Sequence, residues 1–115
     1  MRVKAVFAFV VLAASLSAFA GAAITLSPSE LHASPGRYVG QRVSVSGVVR
    51  GSTTVAGRRP YTTYQLCDMQ ACVNVVQFGA GSVTSGATQT VTGTMQRSVF
   101  TPKHHIQNAI LIGKP

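Results

Sequence analysis

The stretch "YTTYQLCDMQACVNVVQF", residues 61–78, holds both cysteines of the chain, Cys67 and Cys72, with four residues between them. Such a pair can be a redox couple, half of a metal site, or a staple across a hairpin. Thiol oxidoreductases use C-x-x-C and a structural zinc needs four ligands, so this spacing fits neither. With residues 68–71 as a four-residue turn, Cys67 lies directly opposite Cys72, within reach of a disulfide. The same register sets Leu66 against Val73 and Tyr64 against Val75, an apolar row suited to a core. It turns Tyr61, Thr63, Gln65, Asn74, Val76 and Phe78 to the opposite face. Asp68 then reads as the turn residue, its side chain bonded to its own backbone.

The compartment supports the staple. Residues 1–23, "MRVKAVFAFVVLAASLSAFAGAA", have a basic start, an apolar run and an A-x-A pattern at Ala18 to Ala20, the features of a secretory signal peptide. The apolar run from Ala5 to Ala14 falls short of the ~20 residues that span a bilayer. The expected location is therefore periplasmic or secreted, where disulfides persist, with no integral membrane segment in the mature chain. Residues 24–115 form one small domain. Without Arg2 and Lys4, eight basic residues face only Glu30 and Asp68, a net charge of +6. That surplus favours polyanionic partners such as nucleic acid or anionic glycans.

After Ser27 or Ser29 as a cap, a brief helical turn at Glu30 to Ala33 stops at Pro35-Gly36. Period-two patterning follows. "QRVSVSGVVRG" alternates Val43, Val45 and Val49 with polar residues, and Gly47 marks a bulge or bend. "GSTTVAGRRP" reads as a turn-rich loop carrying Arg58 and Arg59. After the 61–78 hairpin comes the Gly/Ser connection "GAGSVTSGA", then a strand "TQTVTGTMQRSV" with Val91, Gly93 and Met95 on one face. The loop "FTPKHH" and a closing apolar strand "IQNAILIG" complete the chain. "VSVSGVV" and "QTVTGTM" share a V-x-G core, as two long strands bent by glycine at equivalent points. Five short strands with almost no helix predict an all-β fold, a small closed barrel in which no strand edge is left open.

In this order of features, "YVGQRVSVSGVV", "YQLCDMQACVNVV" and "VTGTM" resemble the first strand, the central hairpin and the fourth strand of exported bacterial OB-fold proteins, the transfer-RNA-anticodon-binding-like and bacterial OB-fold periplasmic families. The resemblance covers Tyr38 to Ile112. It departs from the family at Ala71, which replaces a hairpin glycine, in the cysteine pair, and in the helix between strands three and four, here a Gly/Ser loop. The Glu30 turn is the candidate substitute for that helix as a barrel plug. The resemblance implies a five-stranded Greek-key barrel whose ligands lie on the outer face of strands two and three, between two loops. Carried onto this chain, it names Tyr61, Thr63, Gln65, Asn74 and Phe78 on the face, with Arg58, Arg59, Lys103 and His104 in the loops. Tyr61 and Phe78 side by side would make a stacking platform for unpaired bases. Phe78 turned inward and Tyr61 laid across the barrel mouth would instead make both part of the core.

Enzyme chemistry is not expected. Paired-carboxylate catalysis has only Glu30 and Asp68 to draw on, and neither a nucleophile elbow nor an acidic orienter for a triad is present. Adjacent His104 and His105 in extended chain point to opposite sides, so neither a metal nor a cofactor is expected. The reading is an exported binding module for single-stranded nucleic acid or another extended polyanion; its alternative is a structural module docking on an envelope protein or an anionic glycan. Intact mass spectrometry checks the staple: reduction should add two hydrogens, and equal masses would remove it.

Overall fold

The computed structural model describes residues 22–79, 81 and 83–113. Residues 1–21 of the expected signal peptide lie outside the described residues. The chain folds as β1 (Ile24–Leu26), α1 (Pro28–Ala33), a 3₁₀ turn (Pro35–Tyr38), β2 (Arg42–Val55), β3 (Tyr61–Cys67), β4 (Cys72–Phe78), β5 (Thr88–Phe100) and β6 (His105–Ile112). Among the described residues no helix is long and apolar enough to cross a membrane.

Five of the strands close on themselves. β2 pairs antiparallel with β3, β3 with β4 and β5 with β6; β4 runs parallel to β6, and β5 returns to pair with the first half of β2. The five-strand expectation therefore describes the barrel. The sixth strand, β1, adds in parallel along β2. Inside, Val43, Val45 and Val49 of β2 meet Tyr64, Leu66, Val73, Val75, Val91, Met95 and Ile110. These are the alternate positions of each strand, as a pleat with one buried face requires.

Two expectations for the first long strand are corrected. The segment at Gly51 to Val55 is strand rather than loop, because Thr53, Thr54 and Val55 continue the ladder onto Thr63, Thr62 and Tyr61. β-branched residues fit that pleated surface, and the loop shrinks to 56–60. The irregularity sits between Arg50 and Thr53, where Gly51 has φ +65°, and not at Gly47. Gly47 is required for a different reason: a Cβ there would stand 2.7 Å from the Cys67 carbonyl oxygen. Its counterpart Gly93 meets the Leu111 carbonyl in the same way. The shared V-x-G pattern thus marks two points where neighbouring backbones press together.

The N-terminal segment plugs the barrel. Ser27 caps α1, its hydroxyl accepting from Glu30 N at 3.1 Å while the Glu30 carboxylate accepts from Ser27 N at 2.8 Å, a reciprocal box that satisfies two free donors. The helix is longer than the predicted turn, and the chain continues as a 3₁₀ turn through Pro35 instead of stopping there. Leu31 is fully buried in the barrel core beside Leu26.

The β3–β4 hairpin has the register read from its sequence, Cys67 opposite Cys72 through Tyr61 opposite Phe78, and the cysteines form a disulfide with Cα atoms 4.0 Å apart. Asp68 holds the tip. Its Oδ1 accepts from Gln70 N and Ala71 N at 2.8 Å each, and its Oδ2 accepts from Ser29 N at 3.0 Å and from the Ser29 hydroxyl. The turn role expected of Asp68 thus comes with a second one, the tether of α1. The Ser29 hydroxyl first, then the Gln70 and Ala71 N–H groups, hold its carboxyl far below the usual carboxylate range. A carboxyl depressed on folding stabilises fully above its unfolded value of about 3.9 and loses that effect as pH falls below it. Thermal melts of the parent and Asp68→Asn should therefore be offset by a constant gap from neutral pH down to about 5, and the gap should close below about 4. A gap unchanged at acid pH would contradict the tether.

Candidate ligand-binding face

The outer side of β3 and β4 is only partly open. Val76, Val99 and Ala109 form a second buried cluster, with Phe78, Ile106 and Leu111 packed against it. The second half of β5 extends beyond its pairing with β2, and with the start of β6 and the 101–104 turn it packs against this side of the hairpin. Of the two readings of Tyr61, an exposed platform or part of the core, the structure has the second: the side chain is 1 % exposed. Its ring lies 5.9 Å from Phe78, so the two are neighbours as expected, but in a core. The Tyr61 hydroxyl is 3.0 Å from His104 Nδ1 and accepts from the Thr101 hydroxyl at 3.0 Å, which ties the 101–104 turn down over the ring. Val76, placed outward by the period-two pattern, is fully buried for the same reason. Part of the signal was present in the sequence: Val99 continues the inward row of Val91, Gly93 and Met95 with Ile106 opposite it, past the end of the barrel, while Ala109 and Leu111 make the other face of β6 apolar as well.

The remaining residues gather into two adjoining regions. A hollow of about 230 Å³ brings together Thr63, Gln65, Asn74 and His104, with Gly51 and Ile106 at its sides. A second hollow of about 200 Å³ shares Gln65 and Asn74 and continues toward α1, past Gln107 and Asn108 to His32. Gln65 Nε2 donates to Asn74 Oδ1 at 3.4 Å, and Asn74 Nδ2 donates to the Gln107 carbonyl at 3.0 Å. His32 Nδ1 lies 3.1 Å from the Cys72 carbonyl and closes the far end. Below the trough, burial pushes the Tyr64 phenol up, and its hydroxyl donates to Gln77 Oε1 at 3.3 Å.

At the loop end a cleft of about 310 Å³ is lined by Arg58, Arg59 and Lys103, with Val55, Pro102 and the edge of Tyr61. The two basic loops thus converge, although 44 positions of sequence separate Arg59 from Lys103. Both carboxylates of the described residues are engaged elsewhere, Glu30 on the α1 cap and Asp68 on the hairpin tip. Sequence reading missed Gln107, Asn108, His32 and Arg50. Arg50 sits opposite Gln65 in the β2–β3 ladder, exposed at the rim; its alternation in β2 was legible, its cross-strand neighbour was not. Phe78 is half-buried and lines a separate hollow with Phe100 and Leu111 on the far side of the β5–β6 hairpin. Among the described residues no three His, Cys, Asp or Glu side chains converge as a metal site would need.

No protein-family profile matches the sequence, and no curated protein is similar to it. Among solved structures, the chain is similar to one in the crystal structure of yeast Stn1 and Ten1, at 12 % identity and a TM-score of 0.60, over 88 % of this chain and 66 % of that one. With the closed ladder β2-β3-β4-β6-β5-β2, this decides the architecture. The domain is an OB-fold. In it the trough lies on the strand face, and the basic cleft lies where the 56–60 and 101–104 loops meet.

Removing the Tyr61 hydroxyl tests the packing of this face. Tyr61→Phe should lower stability by about 1 kcal/mol in urea unfolding, one hydrogen bond's net worth, and should speed amide exchange at His104, whose backbone N–H donates to the Thr101 hydroxyl. Unchanged exchange there would show that the turn is held by other interactions.

Proposed function

We propose that this chain is an exported, non-enzymatic OB-fold binding module of the bacterial periplasmic kind, acting in the periplasm or outside the cell. Its ligand is an extended anionic chain, single-stranded nucleic acid first and anionic glycan second. One observation carries the reading. Arg58, Arg59 and Lys103, from two loops far apart in sequence, converge on one cleft beside a trough of polar side chains on the strand face.

Polyanions release counterions as basic side chains neutralise them, so affinity from such a cleft is salt-dependent. The carboxylates that would compete with a phosphate are absent from the cleft lining. The leader, residues 1–23, and the disulfide support export. The disulfide acts on function indirectly, by holding the hairpin register that points Thr63, Gln65 and Asn74 at the ligand.

A second reading, a module docking on an envelope protein, is favoured by Phe100. That ring is 70 % exposed and stacked on His105 at 4.2 Å, beside the hollow that Phe78 and Leu111 line.

Fluorescence anisotropy with labelled single strands separates the two. The strand reading expects binding at about 50 mM salt, with a log–log salt slope that shrinks by about 0.7 for each phosphate-binding cation removed in Arg58→Ala/Arg59→Ala. No binding at that salt ends the nucleic-acid version. A docking module would instead co-purify with a fixed envelope protein, keep it in Arg58→Ala/Arg59→Ala and lose it in Phe100→Ala.

A further inference from the structure

The charge of the binding face is confined to one end of it. Arg58, Arg59 and Lys103 all line the loop-end cleft, whereas neither hollow that shares Gln65 and Asn74 has a lysine or arginine in its lining. Among the described residues, Arg50 at the rim is the one cation that the ladder sets beside them. A groove that tracks a strand by its backbone needs positive charge along its length, and one that holds bases without preference needs exposed rings to stack on. The trough has no lysine or arginine along it, and its exposed rings are two imidazoles at opposite ends, His104 and His32, since Tyr61 is buried beneath the 101–104 turn and Tyr64 is 3 % exposed.

Amides are there instead. Gln65, Asn74, Gln107 and Asn108 line the trough in a row across β3, β4 and β6. Two hydrogen bonds join Gln65 to Asn74 and Asn74 to the Gln107 backbone, and among the described residues they leave without a partner the second N–H of Gln65 and of Asn74, the Gln65 Oε1, and the side chains of the exposed Gln107 and Asn108. Asn108 is also the one non-glycine among the described residues with positive φ, at 51°. That conformation is disfavoured within a strand, and Asn tolerates it better than most residues. Amide side chains pair with the donor and acceptor edges of bases, which phosphate-binding cations cannot distinguish.

We infer that the trough reads the edges of unpaired bases through Gln65, Asn74 and Asn108, while phosphates are held only at the Arg58, Arg59 and Lys103 end. The module is then a short, sequence-selective single-strand site rather than a sequence-tolerant coat. This rests on the strand reading proposed above. It differs from that reading in two measurable ways. Salt dependence stops growing once a strand fills the cleft, and affinity depends on the base.

Anisotropy titrations of the full mature chain with oligo-dT, oligo-dA and oligo-dC of 4 to 16 nucleotides, and with an abasic strand of equal length, supply the test. With three cleft cations and Arg50 as the limit, the log–log slope should level off no steeper than about −3 and stay there as strands lengthen. Affinities among the three homopolymers should spread about tenfold or more, with the abasic strand weakest. Gln65→Ala/Asn74→Ala should bring the spread within about twofold and leave the slope unchanged; Arg58→Ala/Arg59→Ala should flatten the slope and leave the spread. Both variants change surface side chains, and a thermal melt confirms their fold. Equal affinity for all bases and the abasic strand, a slope that steepens with length, or full competition by an anionic glycan would overturn the inference while the polyanion reading survives. Failure to bind any strand would take down both.

Discussion

The pairing of Cys67 with Cys72 is the constraint on which the candidate face depends. In an antiparallel ladder the side-chain period is two, so a slip of one residue would exchange every inward and outward side chain of the hairpin. The disulfide closes the pairing at the tip, and Asp68 holds the turn and the Ser29 end of α1 together beside it. One local arrangement therefore does two things: it fixes which residues of β3 and β4 turn away from the barrel core, and it ties α1 to the hairpin so that Leu31 sits in that core.

Closure of the barrel does the remaining positioning. β2 serves two neighbours in turn, β5 with its first half and β3 with its second, and changes partner near Gly47 and Val48. No side chain fits where β2 crosses Cys67, nor where β5 crosses Leu111, so glycine is required at both crossings. Past its crossing, the β5–β6 ribbon reaches the hairpin, where its Val99 and Ala109 bury Val76 in a second cluster and its 101–104 turn covers Tyr61. That turn sets the chemistry of the face. Bonded to the Tyr61 hydroxyl through Thr101 and His104, it takes the ring out of solvent and sets Lys103 beside Arg58 and Arg59.

Much of this was legible in the residues. The alternation of Val43, Val45 and Val49, the opposition of Leu66 to Val73 and of Tyr64 to Val75, and the turn chemistry of Asp68 are local patterns, and each survives in the fold. The errors came where long-range packing overrides a local pattern. Gly51 and Ser52 look like loop, yet the β-branched residues after them pair with Tyr61 to Thr63. Tyr61 and Val76 alternate as outward residues, yet both are covered by strands that begin some 12 or more positions later in the chain.

By itself the sequence determined strand periodicity, hairpin register, the basic surplus and the disulfide partners. Those depend on residue identity at short separations, where steric and turn preferences act alone. The tertiary structure alone decided which outward residues stay in water. A strand has two faces, and the second is buried or exposed according to which distant segment lies on it. Here that segment is the arched β5–β6 ribbon. Its 101–104 turn converts Tyr61 from a surface ring into a buried wall of the basic cleft.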